Sequence, residues 1–143
     1  MLYYPEEMKQ KETDSLKVVV FTCNWSAYSE LEAAGKNREQ YPETVFPIRV
    51  ECLGRLHPGI ILKAFQRGAA GVLMLGCPPD ECNFDFGFRK AEEVYAQSKD
   101  LILTLGFHDS QLKLDSVAAG DGKTFSEKVN GFIRGINGSQ NNA

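Results

Sequence analysis

Long apolar runs are missing from this 143-residue sequence, and none approaches the roughly 20 consecutive apolar residues that cross a bilayer. Residues 1–16 are polar, carry more acids than bases, and lack the basic start and apolar core of a secretory signal. We therefore expect a cytoplasmic protein without a membrane span. In that reducing compartment the four cysteines are poor candidates for two structural disulfides.

A strong charge of one sign is also missing. The net charge is −3, with 16 bases and 19 acids interspersed, which excludes the basic footprint typical of nucleic-acid-binding proteins. The phosphate-loop motif G-x-x-x-x-G-K-[ST] does not occur, and no glycine follows the first apolar run closely enough to cradle a flavin phosphate. The hydrophobic fraction of 43% and the charged fraction of 24% indicate one ordinary globular domain.

Strand and helix patterns alternate along the chain. Short apolar runs predict strands at 16–23, 44–52, 71–76 and 101–107. Helical spacing of apolar residues predicts helices at 26–40, 57–71, 86–100 and 124–136. The alternation predicts an α/β fold of the flavodoxin or Rossmann type, with a mostly parallel four-stranded sheet in the order 2-1-3-4 and helices on both faces. This single domain would span 17–136, after an arm (1–16) and before a polar tail (137–143).

The four cysteines all fall at the predicted ends of strands. Cys23 ends the first strand, Cys52 ends the second, Cys77 follows the third, and Cys82 lies five residues further along the same loop. Because parallel strands share one carboxyl edge, where α/β proteins bind their ligands, we expect these thiols to gather there.

The spacing of the cysteines indicates which chemistry they serve. The pattern is C-x28-C-x24-C-x4-C, and it lacks the tight C-x2-C knuckle from which structural zinc usually draws two ligands. Iron–sulfur clusters accept more varied spacings, and C-x4-C occurs among 2Fe–2S ligand patterns. The residues alone favour a cluster, while zinc binding, thiol redox chemistry and plain packing of the thiols stay open as alternatives.

Four motifs in fixed order resemble one protein family. "TCNW" (22–25), "RVECLGR" (49–55), "ILKAFQRGAAGVLMLGC" (61–77) and "CPPDEC" (77–82) resemble the delta subunit of methyl-viologen-reducing hydrogenase, over roughly residues 17–135. Ser26 stands where the family often has a second cysteine, and Pro78 and Asn83 stand at positions that are often histidine. Four cysteines remain, which is the full requirement of a 2Fe–2S cluster.

The resemblance implies an electron-transfer protein without substrate chemistry of its own. It would carry one 2Fe–2S cluster on Cys23, Cys52, Cys77 and Cys82. Electrons would pass between a hydrogenase, a formate dehydrogenase or another redox module and the flavin-containing A-type component of a heterodisulfide reductase-type complex. The arm and residues 83–88 are the predicted partner contacts. A zinc-stabilised interaction module, or a thiol oxidoreductase using Cys77 and Cys82, are the rival interpretations.

Three neighbours of the cysteines are predicted to form the cofactor environment. Trp25 would shield the cluster, Gly54 would allow the backbone to approach it closely, and Arg55 would stabilise the negative charge added on reduction. Each has a plain structural alternative: a half-buried tryptophan, a turn glycine, and an arginine paired with a surface acid.

Overall fold

The described part of the computed structural model comprises residues 17–23, 44–76, 87–117 and 123–141. Its strands and α-helices are β1 (Val18–Cys23), β2 (Val45–Val50), α1 (Pro58–Gln66), β3 (Gly71–Gly76), α2 (Gly87–Thr104), β4 (Leu112–Ser116) and α3 (Lys123–Asn141). One-turn 3-10 helices precede α1 and β4, at Leu53–Arg55 and Asp109–Gln111. The predicted arm and the predicted helix at 26–40 lie outside these ranges, and α3 continues to Asn141 rather than ending at residue 136.

The four strands form one parallel sheet in the order β2-β1-β3-β4. This confirms the predicted α/β class, the parallel sheet and the predicted order of the first three strands. β2 lies at an edge of the sheet, where a proline such as Pro47 is tolerated because it has no N–H to donate to a second neighbour. The strands end together at one side of the sheet, the carboxyl edge, formed by Cys23, Val50, Gly76 and Ser116.

The predicted fourth strand at 101–107 is wrong, because α2 continues through this segment to Thr104. Only Ile102 of its leucine and isoleucine residues is fully buried, in line with Ala91 and Ser98 on one helix face. Gly106, with φ +96°, follows the end of the helix. The fourth strand is instead "LKLDS", in which lysine and aspartate alternate with leucine on the outer edge of the sheet.

Helices cover both faces of the sheet. α1 shares one face with Val19 and Phe21 of β1. Gly71 points to the opposite face, where a side-chain carbon added to it would lie 2.4 Å from Cδ1 of Ile136 in α3. β3 is therefore covered on both sides, and all six of its residues are buried. This central strand ends at Gly76, in the middle of the carboxyl edge.

Asp115 joins the carboxyl end of β4 to α3. Its Oδ1 accepts hydrogen bonds from Lys128 Nζ at 2.7 Å and from the Ser116 N–H at 2.8 Å, and Lys113 Nζ lies 3.9 Å from Oδ2. Burial raises the pKa of this carboxyl, but these donors and positive charges outweigh burial and hold the pKa below its ordinary value.

The lowered pKa of Asp115 predicts a pH-dependent contribution to stability. A carboxyl whose pKa is lower in the folded state stabilises the protein above its unfolded pKa of about 3.9, and this contribution is lost as pH falls through the folded value. We expect Asp115→Asn to weaken the acid-induced loss of unfolding free energy, measured in urea from neutral pH downwards. Lys128→Met should weaken it similarly, and an unchanged pH profile in both variants would contradict the assignment.

Candidate functional site at the carboxyl edge

Two predicted site cysteines lie at the ends of neighbouring strands. Cys23 is the last residue of β1 and pairs in register with Val50, the last residue of β2, and Cys52 follows two residues later. The two thiols are far apart in sequence, yet the parallel register brings them to the same edge. Both residues are buried, with 3% and 7% of their surface exposed. Cys23 thus ends β1, whereas Cys52 lies two residues beyond the end of β2 rather than at its end, since β2 stops at Val50.

Cys23 lies on a defined face of the sheet. Alternate residues of a strand share a face, so Cys23 continues the row of Val19 and Phe21, and these pair with Phe46 and Ile48 of β2. Cys52 has extended backbone angles, φ −155° and ψ 137°, but it follows a bend at Glu51 and lies two residues beyond Val50. The row on β1 therefore ends at Cys23, while Cys52 lies in the connection that follows β2.

The 3-10 turn after β2 holds Cys52 in place. The Cys52 carbonyl accepts a hydrogen bond from the Arg55 N–H at 3.1 Å, and the Leu53 carbonyl accepts one from the Leu56 N–H at 3.1 Å. Leu53 and Leu56 are both buried in the core, and the turn packs against α2. Because the leucines anchor the turn on both sides of its hydrogen bonds, Cys52 has a defined position without lying in a strand.

The donor set present at this edge fits an iron–sulfur group. Thiolate sulfur is the ligand such clusters use, and the burial of both cysteines suits a cofactor kept away from water. Cys77 and Cys82 lie outside the described residues, although Cys77 directly follows Gly76, which lies at the same edge as Cys23. Among the described residues alone, no three histidine, cysteine or acidic side chains gather around one point. The four-cysteine set stays a prediction.

The predicted cofactor environment is partly described. Gly54 and Arg55 lie in the 3-10 turn beside Cys52, while Trp25 lies outside the described residues. Arg55 Nη1 lies 3.1 Å from Glu51 Oε2, and the side chains of this pair are 71% and 68% exposed. Arg55 is therefore paired with a surface acid, which was the structural alternative to a role beside the cofactor.

The two histidines occupy different ends of the fold. His57 caps α1, and its Nδ1 accepts a hydrogen bond from the Gly59 N–H at 2.9 Å. His108 precedes β4 and so lies at the amino edge, opposite the cysteines, because the segment before it is helix rather than strand. A metal-ligand role for His108 beside the cysteines is therefore inconsistent with its place in the fold.

Because the fourth strand was predicted at 101–107, the connection between β4 and α3 was not predicted to lie at the carboxyl edge. The segment 118–122, "AAGDG", lies outside the described residues, but it joins the carboxyl end of β4 to the start of α3. It therefore leaves the sheet from the same edge as the cysteine-bearing connections. The strict alternation of "LKLDS" is the sequence signal that could have revealed β4.

No helix among the described residues is both long and apolar enough to cross a membrane.

Comparison with known proteins identifies the family. The family model described as "Methyl-viologen-reducing hydrogenase, delta subunit" matches residues 18–138. The chain is 38% identical over 114 residues to the iron-sulfur subunit of the F420-non-reducing hydrogenase vhc of Methanococcus voltae, covering 80% of this chain and 79% of that protein. It is 33% identical over 115 residues to the iron-sulfur subunit of the F420-non-reducing hydrogenase of Archaeoglobus profundus, covering 80% and 84%.

A longer relative carries the same region as a part of itself. The chain is 33% identical over 117 residues to the A-type component of the ferredoxin/F420H2-dependent CoB-CoM heterodisulfide reductase of Methanosarcina acetivorans, covering 82% of this chain but 15% of that protein. The family match, the relatives named iron-sulfur subunits and the cysteine-bearing edge of the sheet agree with one another. This chain belongs to the methyl-viologen-reducing hydrogenase delta subunit family.

Proposed function

We propose that this chain is a cytoplasmic electron-transfer protein that holds one 2Fe–2S cluster through Cys23, Cys52, Cys77 and Cys82. The observation that carries the proposal is that Cys23 and Cys52 are both buried at the carboxyl edge, at or just beyond the ends of two neighbouring strands. Relatives in the same family are named iron-sulfur subunits. When bound, such a cluster takes up and releases single electrons.

The protein's own residues set the conditions for this transfer. Cysteine thiolates balance the positive charge of iron, and the buried position of Cys23 and Cys52 limits access of water. Leu53 and Leu56 hold the Cys52 turn against the core, so a change of charge need not move this ligand. A rigid site at the edge of a sheet suits transfer, because the site lies close to a surface that a partner can approach.

The proposed partners follow from the names of the relatives. Relatives of similar length are named as hydrogenase subunits, and in a heterodisulfide reductase the matching region belongs to the same polypeptide as its A-type component. We therefore propose transfer between a hydrogenase, a formate dehydrogenase or another redox module and a flavin-containing subunit of the heterodisulfide reductase A type. The matching region and the rest of the A-type component form one polypeptide in that relative, which is a reason to expect contact between this chain and a separate A-type subunit.

The rival interpretations predict different properties. A thiol oxidoreductase needs an exposed, low-pKa thiol, whereas Cys23 and Cys52 are buried, which leaves only Cys77 and Cys82 for that role. A zinc-stabilised module would use the same thiols but would be colourless and redox-silent.

An anaerobic absorption spectrum with a metal count tests the proposal. We expect a brown protein with about two irons per chain, whose visible absorption weakens on reduction by dithionite. One zinc per chain and no colour would assign it to the interaction-module class. A metal-free chain that also fails to bind iron and sulfide on reconstitution would overturn the proposal.

The exposed pair of Arg55 and Glu51 predicts a small effect on the cluster. Exposed charges are screened by water, and such pairs contribute about 1 kcal/mol or less. An exposed charge of this kind would change the free energy of reducing the cluster by a similarly small amount. For one electron, a tenfold change in an equilibrium constant corresponds to about 59 mV, so the expected change in midpoint potential is below that value. We expect Arg55→Gln to move the midpoint potential by less than about 40 mV in a redox titration.

Arg67→Gln is the matched control, because it removes the same charge at the far end of α1. A larger shift for Arg55→Gln alone would mean that this guanidinium contacts the cluster environment, as the sequence suggested.

A further inference from the structure

An apolar groove of about 460 Å³ runs along the face of the sheet that carries Val19 and Phe21 of β1 and Phe46 and Ile48 of β2. Its floor consists of alternate residues of β1 and β2, and α1 forms its wall. Three apolar side chains along it, Phe46, Ile48 and Ile60, are 48%, 44% and 47% exposed. Large apolar side chains that lie together in this way mark a surface that another segment covers.

The charges around the groove are of one sign. Lys17, Lys63 and Arg67 line it, and no acidic residue of the described segments does. None of the three forms an ion pair with another described residue. A segment that fits this groove therefore combines apolar side chains with carboxylates.

We propose that the arm of this chain, residues 1–16, binds in the groove, with Leu2, Tyr3 and Tyr4 on the apolar rows and Glu6 and Glu7 beside Lys63 and Arg67. The arm lies outside the described residues, but it ends where the groove begins, since it runs into Lys17. It also has the composition that the groove requires, "LYYPEE".

The spacings agree with this arrangement. α1 starts near the carboxyl edge and runs back across the sheet, so Ile60 lies toward the cysteines and Arg67 toward the start of β1. The seven steps along the helix from Ile60 to Arg67 give a rise of about 10.5 Å. The three steps from Tyr4 to Glu7 give a length of about 10 Å when this segment is extended. Aromatic and acidic parts of the arm can thus meet the apolar and basic parts of the groove at once.

The arm would run along the groove in the direction opposite to β1, and it is long enough for the chain to turn between the two. Nine residues, 8–16, are available to turn the chain between Glu7 and Lys17, and at about 3.3 Å per residue they reach well beyond the length of one strand. Leu2–Tyr4 would then lie beside Val50 and Leu56, the groove residues that flank the turn of Cys52. The proposal concerns the polypeptide alone and does not depend on the identity of the cofactor.

Hydrogen exchange of the arm amides in the full chain, purified anaerobically, tests the proposal. Amides of residues 2–8 should exchange at least about tenfold more slowly than in a synthetic peptide of residues 1–16, which corresponds to about 1.4 kcal/mol of binding. Ile48→Glu, which places a carboxylate in the groove, should return the arm to peptide rates. Leu105→Glu is the matched control, because Leu105 is also exposed and apolar but lies outside the groove.

Reversing the charges of the arm and of the groove tests whether ionic contacts hold the arm in the groove. Glu6→Lys/Glu7→Lys should remove most of the protection, and adding Lys63→Glu/Arg67→Glu in the same chain should restore it. Unchanged exchange of the β3 amides in every variant would show that the fold is intact. Arm amides that exchange at peptide rates in the parent chain would overturn the proposal. So would protection that increases with protein concentration, because this would place a second copy in the groove.

Discussion

The Cys52→Ser variant, purified anaerobically beside the parent chain, is expected to lose its visible absorption and nearly all of its iron. The parent should hold about two irons per chain on four thiolates, and a serine hydroxyl is a much poorer ligand for iron in such a cluster. The same loss is expected for Cys23→Ser, Cys77→Ser and Cys82→Ser. Iron per chain, acid-labile sulfide and the visible spectrum are the measurements.

A control is needed, because loss of iron could also follow from a weakened fold. Val20→Ala lies in the same strand as Cys23, is fully buried, and removes apolar contacts without touching a thiol. It should lower stability while the iron count stays near the parent value. A Cys52→Ser protein that keeps about two irons and the parent spectrum would remove Cys52 from the ligand set.

Leu73→Ala is expected to cost about 2–5 kcal/mol in free energy of unfolding. Leu73 lies in β3, the strand paired on both sides by β1 and β4, and only 1% of its surface is exposed. Removal of its side chain leaves a cavity between the sheet and the helix that packs on it, and the surrounding residues can fill that space only in part. Urea unfolding with linear extrapolation gives the value.

Leu105→Ala makes the same chemical change at a residue that is 65% exposed, and it should alter stability by no more than about 0.5 kcal/mol. If the two substitutions cost the same, Leu73 would not lie in the core and the central position of β3 would be wrong. If Leu73→Ala also releases iron while Leu105→Ala does not, the sheet and the proposed cluster are stabilised together.

The elements with a uniform hydrophobic pattern could be predicted well. β3 extends over the six residues that its apolar run predicted, because a strand buried on both faces needs no polar position. β1, which is almost fully buried, was found for the same reason. β2 was found from its short apolar run, although it lies at an edge and most of its residues are exposed. The alternation of strands and helices predicted a parallel sheet, but alternation alone does not determine the order of the strands.

The fourth strand could not be found in this way, because two signals competed. The run at 101–107 is more apolar than "LKLDS", yet its first four residues belong to a helix in which Ile102 is buried and Leu101 and Leu103 remain exposed. β4 lies at an edge, where Asp115 pairs with Lys113 and Lys128. The two segments differ in which of their residues are buried, and this cannot be read from their average hydrophobicity.

The cysteines of the site were predictable because parallel strands share an end, so placing Cys23 and Cys52 at strand ends was enough to bring them together. The pairing of Cys23 with Val50 was not, since it depends on the register between β1 and β2. The ion pair of Arg55 with Glu51 and the basic apolar groove likewise required three-dimensional contacts. Chain order and hydrophobic period are local properties that a sequence displays directly. Register, side-chain partners and exposed surfaces depend on residues far apart in the chain, and these become neighbours only in the folded protein.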